Sequence, residues 1–144
     1  MKIKNKIINW TMLLGWMGII FFMSHQPGEI SSNQSELVVK IFEFLGIHLN
    51  SYFGELATFI IRKAAHFTEY LILFILLYRV LSMYIDKRNA KLYALMGVFL
   101  YAGSDEIHQN FIAGRNMAFK DVMIDTSGGA FGLLMTVIYE KFKI

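Results

Sequence analysis

The chain has 144 residues, of which 56% are hydrophobic and 17% charged, with a single proline and a mean hydropathy of +0.46. A soluble domain of this size carries far more charge, so the composition indicates an integral membrane protein. The absence of cysteine excludes disulfides, thiolate catalysis and thiolate metal sites, and the net charge of +3 is scattered without any basic run dense enough for nucleic acid.

The first apolar stretch, residues 7–24, follows Lys2, Lys4 and Lys6. It runs into Phe22-Met23-Ser24-His25, which lacks the small-x-small chemistry of a signal-peptide cleavage site, so a retained helix is expected. Pro27-Gly28 then forms a turn pair. Asn33 and Glu36 have the spacing of a helix N-cap and its return partner, and Leu37, Ile41, Phe44 and Leu45 recur at helical spacing opposite Lys40 and Glu43. This predicts an amphipathic helix in an outer loop, lying in the interface plane or packed on the bundle. Three further spans follow at residues 64–84 (a start near Leu56 also fits), 92–111 and 122–142, each close to the 20 or so apolar residues a bilayer demands. The expected fold is all-α and polytopic: about four transmembrane helices in one compact bundle, forming a single domain over residues 1–144.

Orientation follows from Lys and Arg beside the span ends. With four spans, Lys2, Lys4 and Lys6, then Lys87, Arg88 and Lys91, then Lys141 and Lys143 share one side, so both termini are expected in the cytoplasm. Arg62, Lys63, Arg115 and Lys120 fall on the outer side, against the rule, and need carboxylates such as Glu69, Asp105, Glu106, Asp121 and Asp125 to explain them.

Charge within a bilayer costs roughly 2.5–3.5 kcal/mol per residue at a helix centre, so ionisable residues in apolar segments mark a polar site. Arg62, His66 and Glu69 are four and three residues apart, which at 100° per residue sets them within about 60° on one helical face. Asp105, His108 and Gln109 repeat that spacing, and Asp121 with Asp125 makes a third pair. The three stripes are expected to converge in the outer third of the bilayer, with His66 near the interface, as a cavity opening outward.

These residues also carry a resemblance. Ser24-His25-Gln26-Pro27-Gly28, Arg62-Lys63-Ala64-Ala65-His66-Phe67-Thr68-Glu69-Tyr70, Ser104-Asp105-Glu106-Ile107-His108-Gln109 leading into Gly114-Arg115, and Asp121-Val122 with Ile124-Asp125 before Gly128-Gly129 stand in order from residue 24 to about 132. In these motifs the chain resembles the VanZ-like family of small bacterial membrane proteins. It departs from the family's pattern at Ala113, where proline is expected, and at His25, where a small polar residue is common. The resemblance implies a multi-pass protein of the bacterial cell membrane. The family's founding member is associated with reduced susceptibility to the lipophilic glycopeptide teicoplanin, and no settled reaction accompanies the family.

Three readings of the polar stripes stay open. In the first, the cavity binds an anionic lipid-linked or cell-envelope ligand, whether membrane lipid, cell-wall precursor or lipoglycopeptide. Arg62, Lys63 and Arg115 would contact phosphate or carboxylate, Glu106, Gln109, Asp121 and Asp125 would complete the site, and Tyr70 and Tyr101 would supply its walls. In the second, His66, Glu69, Asp105 and His108 are catalytic in a hydrolase or transferase. The His66-x-x-Glu69 and Asp105-x-x-His108 spacing would also admit a divalent metal ion as cofactor. Arg115-x5-Asp121-x3-Asp125 is similar in spacing to the signature of lipid phosphate phosphatases, but an aspartate stands where the histidine nucleophile belongs, which argues against that chemistry. In the third, the stripes are a structural ion-pair network, with Glu69 paired to Arg62.

Other residues have simpler readings. Gly128-x-x-x-Gly132 permits close helix approach within the chain, with a homodimer seam as the alternative. Trp10, Trp16, Tyr84 and Tyr139 are expected as interfacial anchors, His48 as solvated, and Met12, Met17, Met96 and Met135 as core filler.

Overall fold

With its only proline at position 27, the chain has little to interrupt a helix except at its turns, and a computed structural model shows it helical almost throughout. The structure describes residues 3–54 and 56–142; Lys2 and Lys143, which the orientation argument uses, lie outside the described residues. The helices are α1 (Ile3–Ser24), α2 (Gly28–Phe44), α3 (Leu49–Phe53), α4 (Leu56–Leu81), α5 (Lys87–Gln109) and α6 (Phe119–Phe142).

Three of these are long and apolar enough to cross a membrane: Lys4–Ser24, Leu56–Leu81 and Phe119–Phe142. The fourth expected span exists as helix α5, but it is not an apolar span by composition, because Ser104, Asp105, Glu106, His108 and Gln109 crowd its last turns. Asp86 starts α5 as a side-chain cap, its carboxylate accepting from the Asn89 amide at 3.0 Å. The second span takes the earlier of its two starts, so His66 is the eleventh residue of α4 and about 15 Å along it at 1.5 Å per residue.

The amphipathic segment also begins earlier than expected. Asn33 is not an N-cap; it lies inside α2, which starts at Gly28 directly behind Pro27. Proline has no N–H to bond and holds φ at −52° with an extended ψ of 148°, so the helix cannot run back through it. A short turn of helix, α3, then joins α2 to α4.

Contacts at the two ends of the bundle set the helix directions. At one end Trp10 Nε1 donates to Tyr84 Oη at 3.1 Å, Lys6 lies over the Tyr84 ring, and Lys91 pairs with Glu140. At the other, Ser24 meets Asp105, and Lys63 meets Asp121. α1 and α5 therefore run one way, and α4 and α6 the other.

α4 is the central rod, packed on α6, α5, α1 and α2 through a core that includes Leu13, Ile20, Tyr70, Leu73, Phe74 and Val98. Gly128 and Gly132 face α4: a Cβ on Gly128 would collide with the Phe67 carbonyl, and one on Gly132 would come within 2.9 Å of the Phe74 ring. The glycine seam thus faces α4 within the chain. Met12, Met96 and Met135 are about half exposed (45%, 50% and 48%), which corrects their reading as core; Met17 does pack on the core. Trp16 is no interfacial anchor either. It sits mid-helix and donates from Nε1 to the Glu69 carbonyl at 2.9 Å, pinning α1 to α4.

Candidate functional site

The site is framed by two loops locked backbone to backbone. The Gly28 amide donates to the Ala113 carbonyl at 3.1 Å, and a Cβ at residue 28 would collide with the Gly114 carbonyl. Gly114 itself has φ of 72°, a conformation that glycine adopts freely. Arg115, next along, extends Nε to the Gln26 carbonyl and Nη1 to the Gln109 amide oxygen, both at 2.9 Å, with Nη2 3.4 Å from the Met23 carbonyl. One guanidinium so ties the end of α1, the turn after it and the end of α5.

Behind Arg115 lies a buried carboxylate. Asp105 Oδ2 accepts from Ser24 Oγ at 2.7 Å, Gln109 Nε2 at 3.0 Å and Tyr70 Oη at 3.2 Å. Tyr70 is fully buried, so it serves Asp105 and is not the cavity wall expected of it. Tyr101 likewise donates to the Met17 carbonyl at 2.7 Å. Glu106, also buried, accepts from the Ala118 amide at 2.9 Å and holds the approach to α6. These side chains form a frame.

In front of the frame the polar groups are less completely matched. Lys63 pairs with Asp121 at 2.6 Å. His66 Nδ1 stands 3.6 Å from Glu69 and 3.9 Å from Asp125, short of a hydrogen bond with either, and Asp125 Oδ2 is buried without a partner among the described residues. The expected pairing of Arg62 with Glu69 is not formed. Arg62 has no carboxylate partner among the described residues, and its guanidinium lies 6.0 Å from the Phe59 ring centroid.

The two candidate histidines do not meet. His108 turns toward α1, where its ring stacks on Phe21 with centroids 4.6 Å apart and its Nε2 lies 3.1 Å from His25 Nδ1. A three-residue step leaves side chains about 60° apart, enough for Asp105 and Gln109 to face Ser24 while His108 faces Phe21 and His25. Ser24, His25 and Gln26 are site residues to which the sequence reading assigned no chemistry, although their motif was visible. Among the described residues no three His, Asp or Glu side chains come together as a metal would require.

Two cavities meet at Arg62, His66 and Arg115. One, of about 250 Å³, is polar and reaches Lys63, Asn116 and Asp121. The other, of about 140 Å³, opens between α2 and α4, with Met23, Val38, Ile61 and Ala65 on its walls. Burial and, after it, the nearby Arg62 guanidinium hold the pKa of Arg115 below its ordinary value. Two like charges therefore crowd one opening.

A second polar cluster, at the opposite end, had no place in the sequence reading. Glu140 takes Lys91 at 2.5 Å, Lys87 at 3.9 Å and the Tyr78 hydroxyl. It lies one residue from the C-terminal lysine pair used for orientation, and that role hid its own partners.

No curated protein and no solved structure matches the chain. The sequence model of the VanZ/LLP1 family matches residues 9–140, a stretch that includes every residue of both cavities and of the Asp105 frame. The chain belongs to the VanZ/LLP1 family.

Proposed function

We propose that this protein crosses the bacterial membrane four times, with both termini cytoplasmic, and uses the outer end of the bundle to bind the anionic group of an envelope ligand. Parity supports the fourth crossing. The turn before α2 touches the loop before α6, so α4 and α5 between them make a round trip, and α4 is long and apolar enough for one leg. α5 supplies the other, with Asp105, Glu106 and Gln109 of its last turns buried against protein. α2, with Leu37, Ile41 and Phe44 exposed, lies in the outer interface as an amphipathic helix. A cysteine introduced at position 88 should be labelled only from the cytoplasmic side. Labelling from outside intact cells would overturn this topology.

The observation that carries the binding reading is that Arg62, Lys63 and Arg115 share one polar cavity while, among the described residues, only Lys63 of the three has an ion-pair partner. Guanidinium groups left without carboxylates suit a phosphate or carboxylate ligand. Purified protein in phosphatidylcholine nanodiscs should bind inorganic phosphate saturably, and Arg62→Ala should weaken that binding at least tenfold. Equal binding by wild type and variant would refute the assignment. Capture of an envelope ligand is also the route by which the protein would contribute to teicoplanin resistance; the susceptibility of a deletion strain, complemented with wild type or Arg62→Ala, tests that contribution.

A second reading has one observation in its favour. His66 opens on both cavities with the buried Asp125 behind it and Glu69 beside it on the wall of one, the placement of a general base near two carboxylates in a hydrolase or transferase. His66→Gln keeps hydrogen bonding but cannot titrate near neutrality. It should abolish activity under the catalytic reading and weaken function only partly under the binding reading.

A further inference from the structure

The two cavities differ in chemistry but share a threshold. Arg62, His66 and Arg115 border both. On one side Lys63 and Asp121 line a polar chamber; on the other, Gln34, Ser35 and Glu69 border a chamber whose exposed wall is nonetheless mostly carbon, from Met23, Val38, Ile61 and Ala65 among others. Ser35, which faces the apolar chamber, already donates to the Ser31 carbonyl at 3.0 Å. A small hydrophilic anion would fill only the first chamber and leave the second without contacts.

From this division we infer that the ligand is an anionic amphiphile, its phosphate held by Arg62, Lys63 and Arg115 and the first methylenes of one alkyl chain lying between α2 and α4. The inference rests on the anion-binding reading above and narrows it to a lipid. Charge complementarity sets which end goes where, because the cations stand at the threshold and in the polar chamber only. The position of α2 agrees: its exposed Ile30, Leu37, Ile41 and Phe44 suit the boundary between headgroups and acyl chains, the depth at which a lipid's head and tail part. The apolar chamber is short. At 140 Å³ it equals about five water volumes of roughly 30 Å³ each, so it holds the start of a chain and leaves the remainder to the bilayer.

Alkyl phosphates of increasing length test this on the full chain held in amphipol, with inorganic phosphate as the reference. Affinity should rise by roughly fourfold per methylene over the first few carbons, from about 0.8 kcal/mol for each CH₂ buried, and then level off. Ala65→Phe and Val38→Trp replace side chains that are themselves partly exposed and fill the apolar chamber. Both should remove the chain-length dependence and leave phosphate affinity within about twofold. If butyl phosphate binds wild type no better than inorganic phosphate, the amphiphile is ruled out while the anion site stands. If the chain-length gain persists in both filled variants, the alkyl chain lies elsewhere and the inference fails. Binding of neither phosphate nor butyl phosphate would remove the anion site, and this inference with it.

Discussion

The two ends of α6 differ in how far their charged groups satisfy one another. At its C-terminal end Glu140 is matched by Lys91, Lys87 and Tyr78, one carboxylate with two cations and a hydroxyl around it. At its N-terminal end the bookkeeping does not close among the described residues: Asp121 has Lys63, but Asp125 keeps an unpartnered oxygen, His66 falls between two carboxylates, and Arg62 has none. Both ends carry several ionisable groups, so charge density does not distinguish them. What distinguishes them is whether the groups satisfy one another, since a buried group left unmatched costs free energy that folding alone would not retain.

The sharpest way to break the frame behind the site is Asp105→Leu. It strands the Ser24, Tyr70 and Gln109 donors together, and a loss of about 3–5 kcal/mol is expected in detergent unfolding titrations. Gly128→Val should follow at about 1–3 kcal/mol, because the new side chain meets the Phe67 backbone and must push α6 off α4.

The comparison of the two ends is sharpened by a crossed pair. Glu140→Gln should lose about 1 kcal/mol or less of stability, reduced further by salt, and leave phosphate binding unchanged. Arg62→Ala should change stability by no more than about 0.5 kcal/mol, since it breaks no ion pair among the described residues, yet reduce phosphate binding. If the two variants exchanged these outcomes, the assignment of roles to the two ends would be reversed.

The smallest effect concerns pH. Bonds from the Asn89 amide and side chain hold the Asp86 carboxyl below its ordinary value of 3.8. A depressed folded pKa stabilises above the unfolded value, so this contribution should be present above about pH 4 and fade as pH falls through the lower folded value. Asp86→Asn should flatten that acid limb without altering stability at neutral pH by much, measured by thermal unfolding from pH 5 downward.

Much of this was legible because composition and periodicity act locally. The apolar lengths located α1, α4 and α6, and the Gly128-x-x-x-Gly132 spacing anticipated a close crossing that the structure places between α6 and α4. Spacing also grouped Arg62, His66 and Glu69 on one side of α4, and all three border the cavity between α2 and α4. It could not decide which carboxylate each cation takes, since that depends on the neighbouring helix, and Arg62 with Glu69 was the pairing it got wrong. Trp16 and Tyr70 were misplaced for a related reason. An aromatic residue with a polar tip suits an interface or a cavity wall equally well until its partner, the Glu69 carbonyl or Asp105, is known. The start of α2 failed differently: the N-cap spacing at Asn33 was real, but Pro27 supplied an earlier stop.

The bond between Gly28 and Ala113 also bears on how the protein is made. Synthesis delivers Gly28 long before its partner, so the α1–α2 turn leaves the ribosome with no loop to dock on, and contacts this distant in sequence form late. A nascent chain ending before α5 would hold Arg62 and Lys63 but no Arg115, Gln109 or Asp105, and Ser24 would have none of its partners. A cysteine replacing the buried Ser24 should therefore react with a thiol reagent in such a truncated chain and resist it in the finished one. If the anion pocket proposed above is correct, it is complete only once the last hairpin has inserted, so half-built copies would lack it.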